Sequence, residues 1–263
     1  MLGPLHLTVW DEESQDRRIV KEFHPQQISL LELPEEAARR GFRAVEICHV
    51  HFHATDYVYL LELKRAFAEA GVSFDTLLLD YGDLTSSNER RAESDFRYMC
   101  EWVEYASIAG AKRIRVMAGE AEPASGAAME RAANYLLMLS EFAGALDVEV
   151  VTVNGKALTS TGDSCLRLME KTELQVGMIT DFGNFSGHSK YEDLSLTIPY
   201  SSIIHAKADC DEFGNPDVPE FQRCLEVARR SRFDGSVVII YDGPGDMWEG
   251  IERVRQLVTP ILV

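Results

Sequence analysis

Residues 174–184 read LQVGMITDFGN and residues 201–209 read SSIIHAKAD. In each stretch a short apolar run ends on a polar residue with chemical potential, Asp181 in the first and His205 in the second, and a loop-like segment follows. Runs of this length that are apolar on both faces suit strands buried inside a parallel sheet. A carboxylate and an imidazole at the mouths of two neighbouring parallel strands are the materials of a divalent-metal site.

Outward from this pair, strand-like and helix-like periodicities alternate along the whole chain. Strands are expected at 5–10, 44–48, 72–79, 112–117, 148–153, 175–180, 202–206 and 236–241. Helices are expected at 34–40, 57–70, 89–109, 124–146, 161–171, 191–197, 218–230 and 248–257. Gly41, Gly71 and Gly110 stand where helices stop, and Pro34 where one starts. Eight strand–helix units predict an α/β fold, a single (β/α)8 barrel spanning residues 1–263. The rival, an open doubly wound sheet with a dinucleotide site, lacks a Gly-x-Gly-x-x-Gly after the first strand.

Composition narrows the function classes. The chain has 263 residues, 46% hydrophobic and 26% charged, with a net charge of −17. That charge works against nucleic acid, whose affinity comes largely from Lys and Arg neutralising phosphates. Five cysteines without a Cys-x-x-Cys pair suit reduced thiols in the cytoplasm better than a disulfide framework. The start of the chain lacks the pattern of a signal peptide. No apolar run approaches the roughly 20 residues that span a bilayer, so no membrane association is expected.

In a (β/α)8 barrel the reacting groups sit at the C-terminal ends of the strands. Reading those ends in order gives Trp10, Asp11 and Glu12; His49, His51 and His53; Asp80 and Asp83; Arg115 and Glu120; Asn154 and Lys156; Asp181 and Asn184; His205, Lys207 and Asp209; Tyr241 and Asp242. Glu46 lies inside an apolar strand and needs a partner if it faces inward. His49 and His51, two apart, would share one face of a strand. With Asp80, Lys156 and Lys207 they form the candidate catalytic set. Trp10, Glu46, Asp83, Arg115, Asn154, Asn184 and Asp242 form the candidate substrate contacts. Asp83 beside Gly82 equally fits a plain turn, and the Gly243-Pro244-Gly245 turn is only a weak phosphate signal.

The phrases GFRAVEICHVHF (41–52), LTSTGDSCLRLME (158–170), VGMITDFGNFSG (176–187), IIHAKADCDEFGNPD (203–217) and FDGSVVIIYDGPGD (233–246) resemble the xylose isomerase-like TIM-barrel family. That family contains sugar and sugar-phosphate isomerases and epimerases, inosose dehydratases and the more distant endonuclease IV. The resemblance implies a small polyhydroxylated substrate, a role in carbohydrate metabolism and frequent self-association into homo-oligomers. It also implies one divalent metal (Mn, Zn or Mg) held by Glu, Asp, His and Glu on strands five to eight. Asp181 and His205 match the aspartate and histidine, but Val153 and Ile240 stand at the two glutamate positions. Those glutamates also move protons in the family's epimerases, and aliphatic side chains do neither task. Two alternatives follow: a non-catalytic barrel that binds a sugar-like ligand or a partner, and, more remotely, an endonuclease IV-like enzyme. The latter would need a multi-zinc cluster of which the sequence carries only fragments.

Overall fold

The computed structural model describes residues 2–262. The chain divides into two compact units. The first extends through Ala121 and takes in Ala127–Val151; the second comprises Glu122–Gly126 and the chain from Thr152 onward.

The first unit opens with two strands, β1 (Leu5–Asp11) and β2 (Asp16–Glu22), paired antiparallel in a sheet of their own. This corrects the sequence reading, which placed residues 5–10 as the first strand of a parallel barrel. Trp10 pairs with Arg17 across this hairpin. The parallel ladder begins instead at β3 (Ala44–Cys48), which pairs with β4 (Ser73–Leu78), then β5 (Arg113–Arg115), then β6 (Glu149–Val153), where the boundary between the units falls. Four helices alternate with these strands: α1 (Leu33–Arg39), α2 (Tyr57–Ala70), α3 (Glu89–Ala109) and α4 (Gly126–Gly144). Asp56 caps α2 by accepting from the Tyr59 N–H, and Asn88 caps α3 by accepting from the Arg91 N–H. Both helices end on a glycine at positive φ, Gly71 at 66° and Gly110 at 80°, the left-handed conformation that closes a helix at least cost when no Cβ is present.

The second unit carries β7 (Gly177–Asp181), β8 (Ser201–Lys207) and β9 (Ser236–Ile240), all parallel, with α5 (Gly162–Lys171), α6 (Lys190–Thr197), α7 (Val218–Arg230) and α8 (Met247–Leu262). A reciprocal capping box between Thr161 and Ser164 starts α5. Its core gathers Phe182, Phe185, Phe221, Leu225 and Val254, each no more than 2% exposed. Among the described residues seven strands are parallel, one fewer than expected, because the first became a hairpin. No helix of the described residues is long and apolar enough to cross a membrane. All five cysteines are free.

Candidate functional site

Register brings Asp181 and His205 together. They are Cα partners across the β7–β8 ladder, and Nδ1 of His205 lies 3.4 Å from Oδ2 of Asp181. Both are buried, with His205 3% and Asp181 6% exposed. The other carboxylate oxygen of Asp181 accepts the Gly183 N–H at 2.8 Å. Asn154 holds the Asp181 main chain from both sides: its Oδ1 accepts the Asp181 N–H at 2.6 Å and its Nδ2 donates to the Asp181 carbonyl at 3.0 Å. Asn184 is exposed, and its Nδ2 donates to the Asn154 carbonyl at 2.7 Å.

Two residues beyond His205, and so on the same face of β8, Lys207 reaches Asp242 with its Nζ 2.5 Å from Oδ2. The stem of Lys207 lies over Gly183, where a Cβ would come within 2.9 Å of the lysine Cδ. Burial opposes the charge on Lys207, but the hydrogen bond it donates to Asp242 and the fields of Asp242, Asp181 and Asp209 outweigh it and raise its pKa. Lys207 therefore stays an ammonium, able to donate and unable to act as a base. Ile240 is the Cα partner of Lys207, and Val153 is buried at 3% exposure. Lys156 is exposed and sits at φ 55°. Tyr241 is buried, its hydroxyl donating to the Pro244 carbonyl at 2.5 Å.

A second polar cluster lies in the first unit. His49–His51 is a single 3-10 turn following β3, so the expectation that His49 and His51 share a strand face is corrected. His49 is buried while His51 is half-buried and His53 exposed. Nδ1 of His49 accepts the Asp80 N–H at 3.2 Å, and its ring meets Trp102 edge to face at 5.4 Å. Arg115, 6% exposed, pairs with Asp80 at 2.5 Å. Cys48 donates its thiol proton to the same carboxylate, at 3.1 Å. Burial and the charge of Asp80 push that thiol up to about 12, so it is not a nucleophile at neutral pH.

Asp83 turns inward to the backbone. One of its oxygens accepts the Thr85 N–H at 3.0 Å, the Thr85 hydroxyl at 2.5 Å and the Glu120 N–H at 3.0 Å. The loops after β4 and β5 are thereby tied together. Glu46, within β3, is half-buried. Two residues with chemistry escaped the sequence reading: Cys48, hidden because a lone cysteine carries no motif, and Tyr59, hidden because it sits in the first turn of a helix. Among the described residues no group of three or more His, Cys, Asp or Glu side chains is placed to hold a metal ion.

Comparison with solved structures finds the same fold at low identity. The apo 3-keto-D-glucoside 4-epimerase YcjR from E. coli is 19% identical over 88% of this chain and 94% of its own, with a TM-score of 0.65. The probable 3-DHS dehydratase AsbF of Bacillus anthracis, involved in petrobactin synthesis, is 17% identical over 88% and 94%, with a TM-score of 0.67. The IOLI protein, solved with a bound zinc atom, is 15% identical over 88% and 94%, with a TM-score of 0.68. At such identities the likeness is one of fold, and the epimerase and the dehydratase carry different chemistries on it. No curated protein matches the sequence. Residues 34–257 match the family model for the xylose isomerase-like TIM barrel, and with most of the chain inside that match, the protein belongs to the xylose isomerase-like TIM-barrel family.

Proposed function

We propose that this barrel binds a small polyhydroxylated carbonyl compound at the C-terminal strand ends and enolises it, as a sugar isomerase or epimerase does, without the family's four-ligand metal cage. The observation that carries the reading is the array Asp181–His205–Lys207–Asp242 on β7, β8 and the loop after β9. The donor set does not fit a divalent cage. Val153 and Ile240 offer no ligand atom, and the oxygens of Asp181 are already engaged with Gly183 and His205.

Enolisation needs positive charge or donors at the carbonyl oxygen as it gains charge, and a base for the proton on the adjacent carbon. Lys207 supplies the first. Its stem is fixed over Gly183 and its charge is held by three carboxylates. His205 and Asp242 are the two candidate bases, and the pH profile separates them. An imidazole base makes kcat/KM rise at a higher pH than a carboxylate base does. The soluble cytoplasmic setting and the role in carbohydrate metabolism expected from the sequence belong to the same reading.

The test is solvent exchange. Metal-stripped protein is incubated in D2O with a panel of ketoses, ketose phosphates and keto-polyols, and deuterium at the carbon next to the carbonyl is followed by NMR. Exchange that survives chelator and disappears in Lys207→Met is the expected result. No exchange with any compound, with or without added Mn, Zn or Mg, would overturn it. That outcome would favour the second reading, a binding member without turnover, which the aliphatic Val153 and Ile240 support.

A further inference from the structure

Tyr241 is the first residue after β9 and directly precedes Asp242, the carboxylate that meets Lys207. It is only 5% exposed, and glycines from three separate segments make room for it. A Cβ on Gly214, in the loop after β8, would collide with the Tyr241 hydroxyl. One on Gly243 would come within 2.7 Å of the same oxygen, and one on Gly250 of α8 would strike the ring itself. The Arg253 guanidinium lies over the ring, 5.8 Å from its centroid. Enclosed this closely, the ring has room for one orientation.

That orientation gives the hydroxyl a task. It donates to the Pro244 carbonyl at 2.5 Å, and the Gly214 carbonyl lies 3.5 Å away. The first bond closes the turn 241–244 from side chain to main chain, with Asp242 and Gly243 inside it. Packing alone does not require the oxygen, since a phenylalanine ring fills nearly the same space. Asp242 is far less enclosed, with 55% of its side chain exposed. Ion pairs this open to water contribute only about 0–1 kcal/mol, because ordering two side chains offsets most of the attraction. A 2.5 Å contact between Lys207 and Asp242 therefore depends on a main chain that is fixed before the pair forms.

We propose that Tyr241 is a positioning residue whose hydroxyl, by closing the 241–244 turn, holds Asp242 against Lys207. The proposal rests on the enolisation reading for the purpose of the pair, while the clamp itself belongs to the resting protein. Tyr241 touches no reacting atom and acts through Asp242.

Tyr241→Phe in the full chain deletes the oxygen and keeps the ring. The probe is the 15N–1H NMR signal of the Lys207 ammonium, visible where a hydrogen bond slows proton exchange with water and assigned by its change in Asp242→Ala. In Tyr241→Phe that signal should broaden or move toward its state in Asp242→Ala. The kcat for deuterium exchange into substrate should fall about two- to tenfold, the range of one hydrogen bond, with KM changed less. A tyrosine that only packs would lower the thermal midpoint and leave the signal and kcat alone. A Lys207 signal unchanged in Tyr241→Phe, or missing from the unmodified protein, would overturn the proposal whatever the activity does. A changed signal in a protein that enolises nothing upholds the clamp and sinks the enolisation reading, so the two fail separately. If Tyr241→Phe does not fold, the phenol proton of the unmodified protein decides: a discrete, slowly exchanging O–H resonance supports the clamp, and its absence at low temperature overturns it.

Discussion

His49 makes the stability of the first unit depend on pH in a way the structure allows to be worked through. Its ring is 2% exposed. Nδ1 accepts the Asp80 N–H, which places the single proton of the neutral ring on Nε2. Protonation would put a second N–H against that amide, inside a wall formed partly by Trp102. Burial is the largest influence and pushes the pKa from 6.5 down to about 4; the charge of Asp80 opposes it, while Arg115 and His51 act in the same direction as burial.

The folded pKa is thus lower than the unfolded one, so between them the unfolded chain binds more protons. The stabilisation is fully present above pH 6.5 and is lost as the pH falls toward 4. A depression of that size corresponds to about 3 kcal/mol. The variant His49→Asn keeps an acceptor near the Nδ1 position and cannot titrate. Urea unfolding of both proteins at pH 7 and pH 4.5 should show that the unmodified protein loses about 2–3 kcal/mol more than the variant. Asn is smaller and will lower stability at both pH values, but the difference between the two slopes isolates the imidazole. An NMR midpoint for His49 at or above 6, or equal acid sensitivity in both proteins, would refute the reasoning.

Three further outcomes are expected. Asn154→Ala removes both hydrogen bonds to the Asp181 main chain and should cost about 2–4 kcal/mol in chemical denaturation, since it leaves a buried N–H and a buried carbonyl bare; a loss under 1 kcal/mol would mean that water replaces the amide. Gly250→Ala drives a methyl group from α8 into the Tyr241 ring and should destabilise by about 1–3 kcal/mol, a thermal midpoint unchanged from wild type being the contrary result. Val153→Glu combined with Ile240→Glu should create measurable Mn or Zn binding by calorimetry beside Asp181 and His205; no gain in affinity would show that the strand alignment with the family is wrong.

The helices were the most legible part of the fold. Those expected at 57–70, 89–109 and 218–230 have the same bounds in the structure, because side-chain caps and glycine stops are written locally in the sequence. The hairpin was not legible. Residues 16–22, Asp-Arg-Arg-Ile-Val-Lys-Glu, form a strand with only two half-buried aliphatic or arginine side chains, and so lack the apolar alternation that announces one. Without β2, the run at 5–10 had no visible partner except a parallel neighbour. Whether a strand pairs antiparallel or parallel is decided by what lies beside it, and a run of six residues does not encode that.

The site divides along the same line. Asp181 and His205 were readable as a pair because strand register is periodic, and two residues at matching ends of adjacent parallel strands meet automatically. The uses of polar side chains were not readable, because they depend on which backbone groups need partners. Asp83 and Asn154 carry the same functional groups as Asp242 and Asn184, yet the first two are buried and committed to main-chain amides while the second two stand exposed. A sequence shows that a carboxylate exists at a strand end; burial decides whether it holds the loop or faces a ligand. By that criterion the proposed reading puts Lys207 and Asp242, partly open to solvent and 2.5 Å apart, nearest the substrate. The imidazole of the buried Asp181–His205 pair, in which Asn154 fixes the main chain of Asp181, precedes Lys207 on the same face of β8, and the pH profile decides whether it or the carboxylate of Asp242 takes the proton.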